Sequence, residues 1–321
     1  MAEVELRIHE DAEALARNRA EALMRLLADK PDAVLLLNTG NTPRRIYEIC
    51  TSSGLDLSRA RIRLLDGLLL HPRGGFTDLD HPGCFTRYIR KHLLGPLPPP
   101  RRPRDWVLPP EDLCTCEEIE KQLSEDPDSW SSPPHPETGD PGSEIRIADH
   151  AGGILGRVRR ACEAYESLLA EDPPDLANLG VGPMPYPHMA FNDGPWTRFE
   201  AETHLTRTSD STREALAPAF GGKERVPPFA LTAGPRSILR AREIWITAIG
   251  SSKAEAVARA FADPSAEEAG LGSSIGYALK ASRVSLHLDE DAAEHLTGEG
   301  GLAALKKRYR AAGHRLDARR V

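Results

Sequence analysis

The apolar positions of this chain fall into short blocks separated by polar stretches that carry Gly and Pro. Ala12, Leu15, Ala16, Ala20, Leu23, Met24 and Leu27 recur at helical spacing, which predicts an amphipathic helix within residues 7–30, ended by Pro31-Asp32. Ala33-Val34-Leu35-Leu36-Leu37 then forms a continuous apolar run of strand length, as expected of a parallel strand covered on both faces. A polar turn, Asn38-Thr39-Gly40-Asn41-Thr42-Pro43, leads into a second helix over 44–51. A short strand over 62–65 runs into Asp66, and helices are expected over 85–94 and 151–170. Further strands are expected over 176–179, 229–232 and 243–249, with 284–288 as the last. Strands alternating with helices predict the α/β class: an open, mostly parallel, Rossmann-like sheet with helices on both faces. In such sheets ligands bind beyond the carboxyl ends of the strands.

Between residues 96 and 143 the pattern breaks down. The run 97–104 and the run 129–142 are dense in Pro, Ser and charge, which predicts an irregular insertion. The segments on either side read as parts of one fold, so the expectation is a single domain over 1–321 interrupted by that insertion.

Composition narrows the function. The chain has 321 residues, 40% of them hydrophobic, enough to bury a core, and no run approaches the roughly 18 apolar residues of a membrane helix. The start, Met1-Ala2-Glu3-Val4-Glu5, is acidic and does not read as a secretory leader, so a cytoplasmic location is expected. A net charge of −7 argues against nucleic acid as a partner. The five cysteines are scattered. Cys114 and Cys116 lack a second pair or histidines at zinc-ligand spacing, so no metal is expected.

The candidate chemistry sits in the loops after strands. Residues Thr39, Gly40, Asn41 and Thr42 supply short donors between a buried strand and a helix, the arrangement in which backbone N–H groups face an anion; the same residues would also serve as a plain helix cap. Lys253, at the mouth of the strand-to-helix turn Gly250-Ser251-Ser252-Lys253, and Arg213 are further anion contacts, or ordinary solvated cations. Asp66 is either a cap or a base placed over a pocket. His188 and Asp193 share one loop rich in Gly and Pro, which suggests an imidazole steered by a carboxylate. No Gly-x-Ser-x-Gly elbow is present.

Taken in order, these motifs resemble the glucosamine-6-phosphate deaminase and 6-phosphogluconolactonase family. Residues 39–43 are similar to its Thr-Gly-Ser-Thr-Pro phosphate loop. Leu65-Asp66, then Asp80-His81-Pro82, then the helix from Phe85 are similar to its Asp-Glu segment with the later His-Pro and helix. Gly180-Val181-Gly182 with His188-Met189-Ala190-Phe191-Asn192 resembles its Gly-Val-Gly and Gly-His-Ile-Ala-Phe-Asn-Glu segments. Ser211-Thr212-Arg213, residues 226–234 and Gly250-Ser251-Ser252-Lys253 complete the series, and Ala190-Phe191-Asn192 favours the deaminase branch.

The resemblance implies a sugar-phosphate isomerase type of fold and an isomerase or deaminase acting on an amino-sugar phosphate. It implies Asp66 as the base moving a proton between C1 and C2, His188 as the group assisting ring opening, and Asp193 where that branch has glutamate. Thr39, Gly40, Asn41, Thr42, Arg213 and Lys253 match phosphate-binding positions. The expected partner is a small sugar phosphate with no organic cofactor, and a homo-oligomer is compatible with the pattern. Three departures stand out. Pro183-Met184-Pro185-Tyr186-Pro187 replaces the Asn-Asp-Gly before the histidine, Gly67 follows Asp66 in place of glutamate, and Asn41 replaces serine. A lactonase-like hydrolase of a sugar-phosphate lactone and a non-catalytic phosphosugar-binding regulator are the alternatives.

Overall fold

The structure, a computed structural model, describes residues 2–69, 81, 83–134, 139, 141–193, 197–264, 273–298 and 300–321. Asp80 and Pro82 of the expected His-Pro motif lie outside them. The strands in chain order are β1 (Glu3–His9), β2 (Val34–Leu37), β3 (Arg61–Leu64), β4 (Asp66–Leu68), β5 (Asp105–Val107), β6 (Trp130–Ser131) and β7 (Glu144–Ile147). They continue with β8 (Leu176–Gly180), β9 (His204–Arg207), β10 (Phe229–Thr232), β11 (Glu243–Ala248), β12 (Arg283–Asp289) and β13 (Arg315–Arg320). The helices are α1 (Ala12–Asp29), α2 (Asn41–Ser52), α3 (Phe85–Ile89), α4 (Cys116–Glu125), α5 (Gly153–Glu171) and α6 (Asp210–Phe220). The short α7 (Pro235–Ile238), then α8 (Ala254–Phe261), α9 (Glu290–Ala293) and α10 (Gly301–Ala311), complete the set.

Eight strands form one sheet in the order β13-β1-β12-β11-β8-β2-β3-β5, and every pairing within it is parallel. Both faces are apolar because the strands are: Leu36, Ile244 and Ile246 point to one side and Leu35, Leu37 and Trp245 to the other. The first set packs on Val257 and Phe261 of α8 and on Leu305 and Tyr309 of α10. The second packs on Ala16 and Leu23 of α1 and on Ile46 and Tyr47 of α2. Each fully buried Leu, Ile or Phe contributes about 2 kcal/mol by leaving water, and this double cover makes the sheet the rigid base of the molecule. The expected α/β architecture is therefore present.

A second sheet, β4-β10-β9-β7-β6, is antiparallel throughout. Phe229 and Leu231 of β10 face Ile119 and Leu123 of α4 and Leu155 and Val158 of α5. The alternate residue, Ala230, joins Leu68, Cys84, Phe85, Phe191 and Phe220 on the opposite face. The two sheets meet at one residue. Leu65 donates its N–H to Leu37 O at 3.0 Å, and its carbonyl accepts from Ala233 N at 2.7 Å, so the chain passes straight from β3 into β4.

Three expectations need correction. The first helix begins only at Ala12, because Val4, Leu6 and Ile8 alternate with polar residues and form β1. Residues 284–288 are not the last strand, since β13 pairs with β1 at the edge of the large sheet. The 96–143 stretch is not irregular throughout: it supplies β5 to the large sheet, and α4 starts on a capping box in which Thr115 Oγ1 accepts from Glu118 N at 2.7 Å while Glu118 accepts from Thr115 N at 2.8 Å. A capping box of this kind satisfies two N–H groups that the helix itself cannot.

Candidate functional site

The loops after β2, β8 and β11, three neighbouring strands, rise from the carboxyl end of the large sheet. With Asp66 at the joint between the sheets and with α3 and α6, they enclose a cavity of about 570 Å³. That size lies in the range of small-molecule sites. Asn38, Thr39, Gly40, Asn41, Thr42, Arg44, Asp66, Gly182, His188 and Lys253 line it, and Phe85, Tyr88, Phe191 and Leu216 form its apolar wall.

At one end stands the start of α2. Its N-cap is Gly40, so no side chain caps the helix, and the reading of 39–42 as a plain side-chain cap loses its basis. The first N–H groups of a helix carry a partial positive charge and favour an anion. The loop is braced from behind, where Tyr47 Oη donates to Asn38 O at 2.9 Å and Tyr88 Oη donates to Gly40 O at 2.6 Å. Lys253 also lines the cavity. Its Nζ donates to Val181 O at 2.7 Å, and burial lowers its pKa from the ordinary lysine value.

Asp66 opens β4 opposite Thr232 and is 8% exposed. Burial, reinforced by the nearby Glu111 carboxylate, pushes its pKa up to about 8. A carboxyl poised near neutrality is suited to taking and returning a proton.

His188 packs its ring on Gly182, where any side chain would collide: a Cβ there would lie 2.3 Å from Nε2. Its Nδ1 lies 2.8 Å from Tyr186 O. A carbonyl accepts only, so Nδ1 carries the hydrogen in the neutral ring and Nε2 is left as the acceptor, 3.4 Å from Thr212 Oγ1. Burial lowers the His188 pKa, and Asp193 opposes this by charge. Asp193, 1% exposed, accepts from Ser209 N at 2.9 Å with Oδ2, while Oδ1 has no partner among the described residues. Asn192 braces the loop by donating to Met189 O and Ala233 O, both at 2.9 Å.

The structure thus brings Thr39, Gly40, Asn41, Thr42, Asp66, His188 and Lys253 around one cavity, with Asp193 buried and near enough to act on His188 by charge. Arg213 goes elsewhere. It lines a separate depression with Trp130 and Arg207, its Nη2 lying 3.8 Å from Glu224 and 3.4 Å from Lys223 O. Two contributors escaped the sequence reading: Arg44, on the first turn of α2, and Glu111, from the stretch expected to be irregular. A cation one residue beyond the Asn-Thr-Pro turn was a usable signal for the former. Nothing local marked the latter. Among the described residues no group of three or more His, Cys, Asp or Glu is placed to hold a metal ion, and all five cysteines are free.

No family model matches the chain. Individual relatives do. It is 29% identical over 267 residues to glucosamine-6-phosphate deaminase of Streptomyces coelicolor, covering 81% of this chain and 82% of that one. It is 30% identical over 267 residues, with the same coverage, to the protein of that name from Streptomyces avermitilis. Among solved structures, a monomeric glucosamine-6-phosphate deaminase described as a missing link of the NagB superfamily superposes with a TM-score of 0.65 at 23% identity, over 90% of this chain and 99% of that one. The 6-phosphogluconolactonase of Trypanosoma brucei superposes at 0.60 and 16% identity, over 92% and 99%. The shared fold accommodates both kinds of protein, and the sequence likeness spans most of both chains and runs to the deaminases. The chain therefore belongs to the glucosamine-6-phosphate deaminase family, within the fold shared with the 6-phosphogluconolactonases.

Proposed function

We propose that this protein is an isomerase or deaminase of an amino-sugar phosphate of the glucosamine-6-phosphate kind, moving a proton between C1 and C2. The observation that carries the reading is Asp66, a buried carboxyl with its pKa pushed up to about 8, on the same cavity as the uncapped start of α2 and Lys253. In this reading the N–H groups and hydroxyls of 39–42, with Lys253, hold the phosphate, and Arg44 lends charge at the rim. Asp66 takes the proton from C2 and returns it to C1. His188, whose Nε2 is an acceptor in the neutral ring, moves the proton at the sugar's ring-opening oxygens, and Asp193 supports the charge that develops on it. Holding both reacting carbons against one base turns an unfavourable encounter into a local event. Arg213 is left out of this reading, since it lines another depression.

The test is ammonia release or ketose formation from a panel of aminohexose and hexose phosphates, run beside calorimetry. Turnover that disappears in Asp66→Asn while binding persists supports the reading; binding without turnover by the wild-type protein would instead identify a phosphosugar-binding regulator. A second reading, hydrolysis of a sugar-phosphate lactone, draws on the Tyr186 carbonyl at His188 Nδ1, which leaves Nε2 as the ring's acceptor for activating water. It predicts lactone turnover that survives Asp66→Asn and ends in His188→Ala.

A further inference from the structure

Close enough to Asp66 to act on it by charge is a second buried carboxylate that the proposed chemistry has not used. Glu111, 5% exposed, comes from the stretch between β5 and α4. Its Oε1 accepts from Phe85 N at 2.9 Å, and its Oε2 accepts from Thr86 N at 3.0 Å, Thr86 Oγ1 at 2.8 Å and Cys84 Sγ at 3.3 Å. Every one of these partners donates, so the group is built to accept with both oxygens. The same segment presses on the residue after Asp66. A Cβ at Gly67 would lie 2.6 Å from Pro109 O and 3.0 Å from Glu111 Cγ, so a glycine there is what admits Glu111.

We propose that Glu111 is a positioning residue for the reaction, delivered beside Gly67 to act on the Asp66 carboxyl and, through the first turn of α3, to fix Phe85 in the cavity wall. Two links support this. Through space, burial raises the Asp66 pKa most, and the Glu111 charge in that low-dielectric setting pushes it further the same way. Through the backbone, the two N–H bonds tie the first turn of α3 to the 109–111 segment, and α3 carries Phe85 and, beyond it, Tyr88. Among the described residues, Tyr165 of α5 also feels the Asp66 charge. His188, Lys253, Tyr88, His92 and Arg44 share the cavity lining.

This inference rests on Asp66 being the base, so its test reads Asp66 directly. In full-length protein labelled with 13C at the aspartate side-chain carboxyls, the Asp66 resonance is assigned by its loss in Asp66→Asn and titrated. The wild-type midpoint is expected near 8, and in Glu111→Gln it should fall by about one pH unit or more. Where substrate turns over, the acid limb of kcat/KM should move with it. Thr86→Val removes a hydroxyl donor and no charge, so it should lower Tm and leave the midpoint in place. An unchanged midpoint in folded Glu111→Gln would overturn the proposal. If that variant does not fold, Glu111→Asp decides, with a fall of roughly half a pH unit expected for the retracted carboxylate and no fall counting against. A chain that shows no turnover would sink the assigned reaction yet leave this titration readable, so the two failures are distinguishable.

Discussion

Asp66 and His188 are pushed in opposite directions by the same cause. Burial disfavours the charged form of each, raising the carboxyl and lowering the imidazole, so near pH 7 the resting site holds a neutral acid beside a neutral ring. The free enzyme then needs Asp66 to lose its proton before it can take one from carbon. We expect kcat/KM to rise with pH and to level off above about 8, measured as a pH–rate profile on the active phosphosugar. A profile already flat at pH 6 would contradict this assignment. Lys253→Ala should weaken sugar-phosphate binding by roughly 10- to 100-fold, as expected for a charge-assisted contact worth about 1.5–3 kcal/mol, read by calorimetry. His188→Ala should leave that affinity near the wild-type value while abolishing turnover. These residues were legible because each lies in the segment that follows an apolar strand, where an open parallel sheet puts its ligand. The Tyr186 carbonyl at His188 was not legible, because backbone groups carry no residue-type signal.

At the level of elements, a stretch that looked unstructured still reaches the site through Glu111. Pro and Ser density over 96–143 hid β5, whose three residues form one edge of the large sheet, and α4, whose Thr115-x-x-Glu118 capping box was readable but sat in a stretch set aside as irregular. Glu111 lay hidden with them, since its partners at 85 and 86 are distant in sequence and joined only by the fold. The large-sheet strands with continuous apolar runs were the easy ones. β1 and β13 were missed because alternation with charged residues blurs the helix and strand periods over so few positions. Gly67→Ala tests the contact between β4 and the 109–111 segment. A methyl group driven against a carbonyl oxygen has no flexible neighbour to displace, and we expect a loss of about 1–3 kcal/mol in chemical denaturation, with Thr115→Ala costing about 1 kcal/mol.

For the molecule as a whole, the buried groups make stability depend on pH in a definable sense. Folded Asp66 keeps its proton up to about 8, whereas an unfolded aspartate releases it near 4. Between those values the folded state binds more protons, so stability falls as pH rises across that window. Buried His188 and His204, held neutral by desolvation, act the other way: the unfolded state binds more protons below about 6.5, and acidification through that value favours unfolding. Asp66→Asn should therefore flatten the decline in Tm between pH 5 and 8, as followed by scanning calorimetry, while leaving the loss on the acid side.

The position of β1 has a consequence for how the chain reaches this state. An early strand, it is wedged between β12 and β13, the last two in chain order, with residues 3–9 matched to 283–289 on one flank and 3–8 to 315–320 on the other. Its hydrogen-bonding partners thus emerge from the ribosome some 280 or more residues after it does. The loop that must be closed to seat it is nearly the whole protein, and long-range parallel pairing of this kind is slow to form. During synthesis β1 is an unpaired apolar edge, open to capture by another chain. Pulse-labelled hydrogen exchange during refolding should find the amides of Val4, Leu6 and Ile8 protected only after those of β2 and β3, and early protection of β1 would argue against this order of assembly.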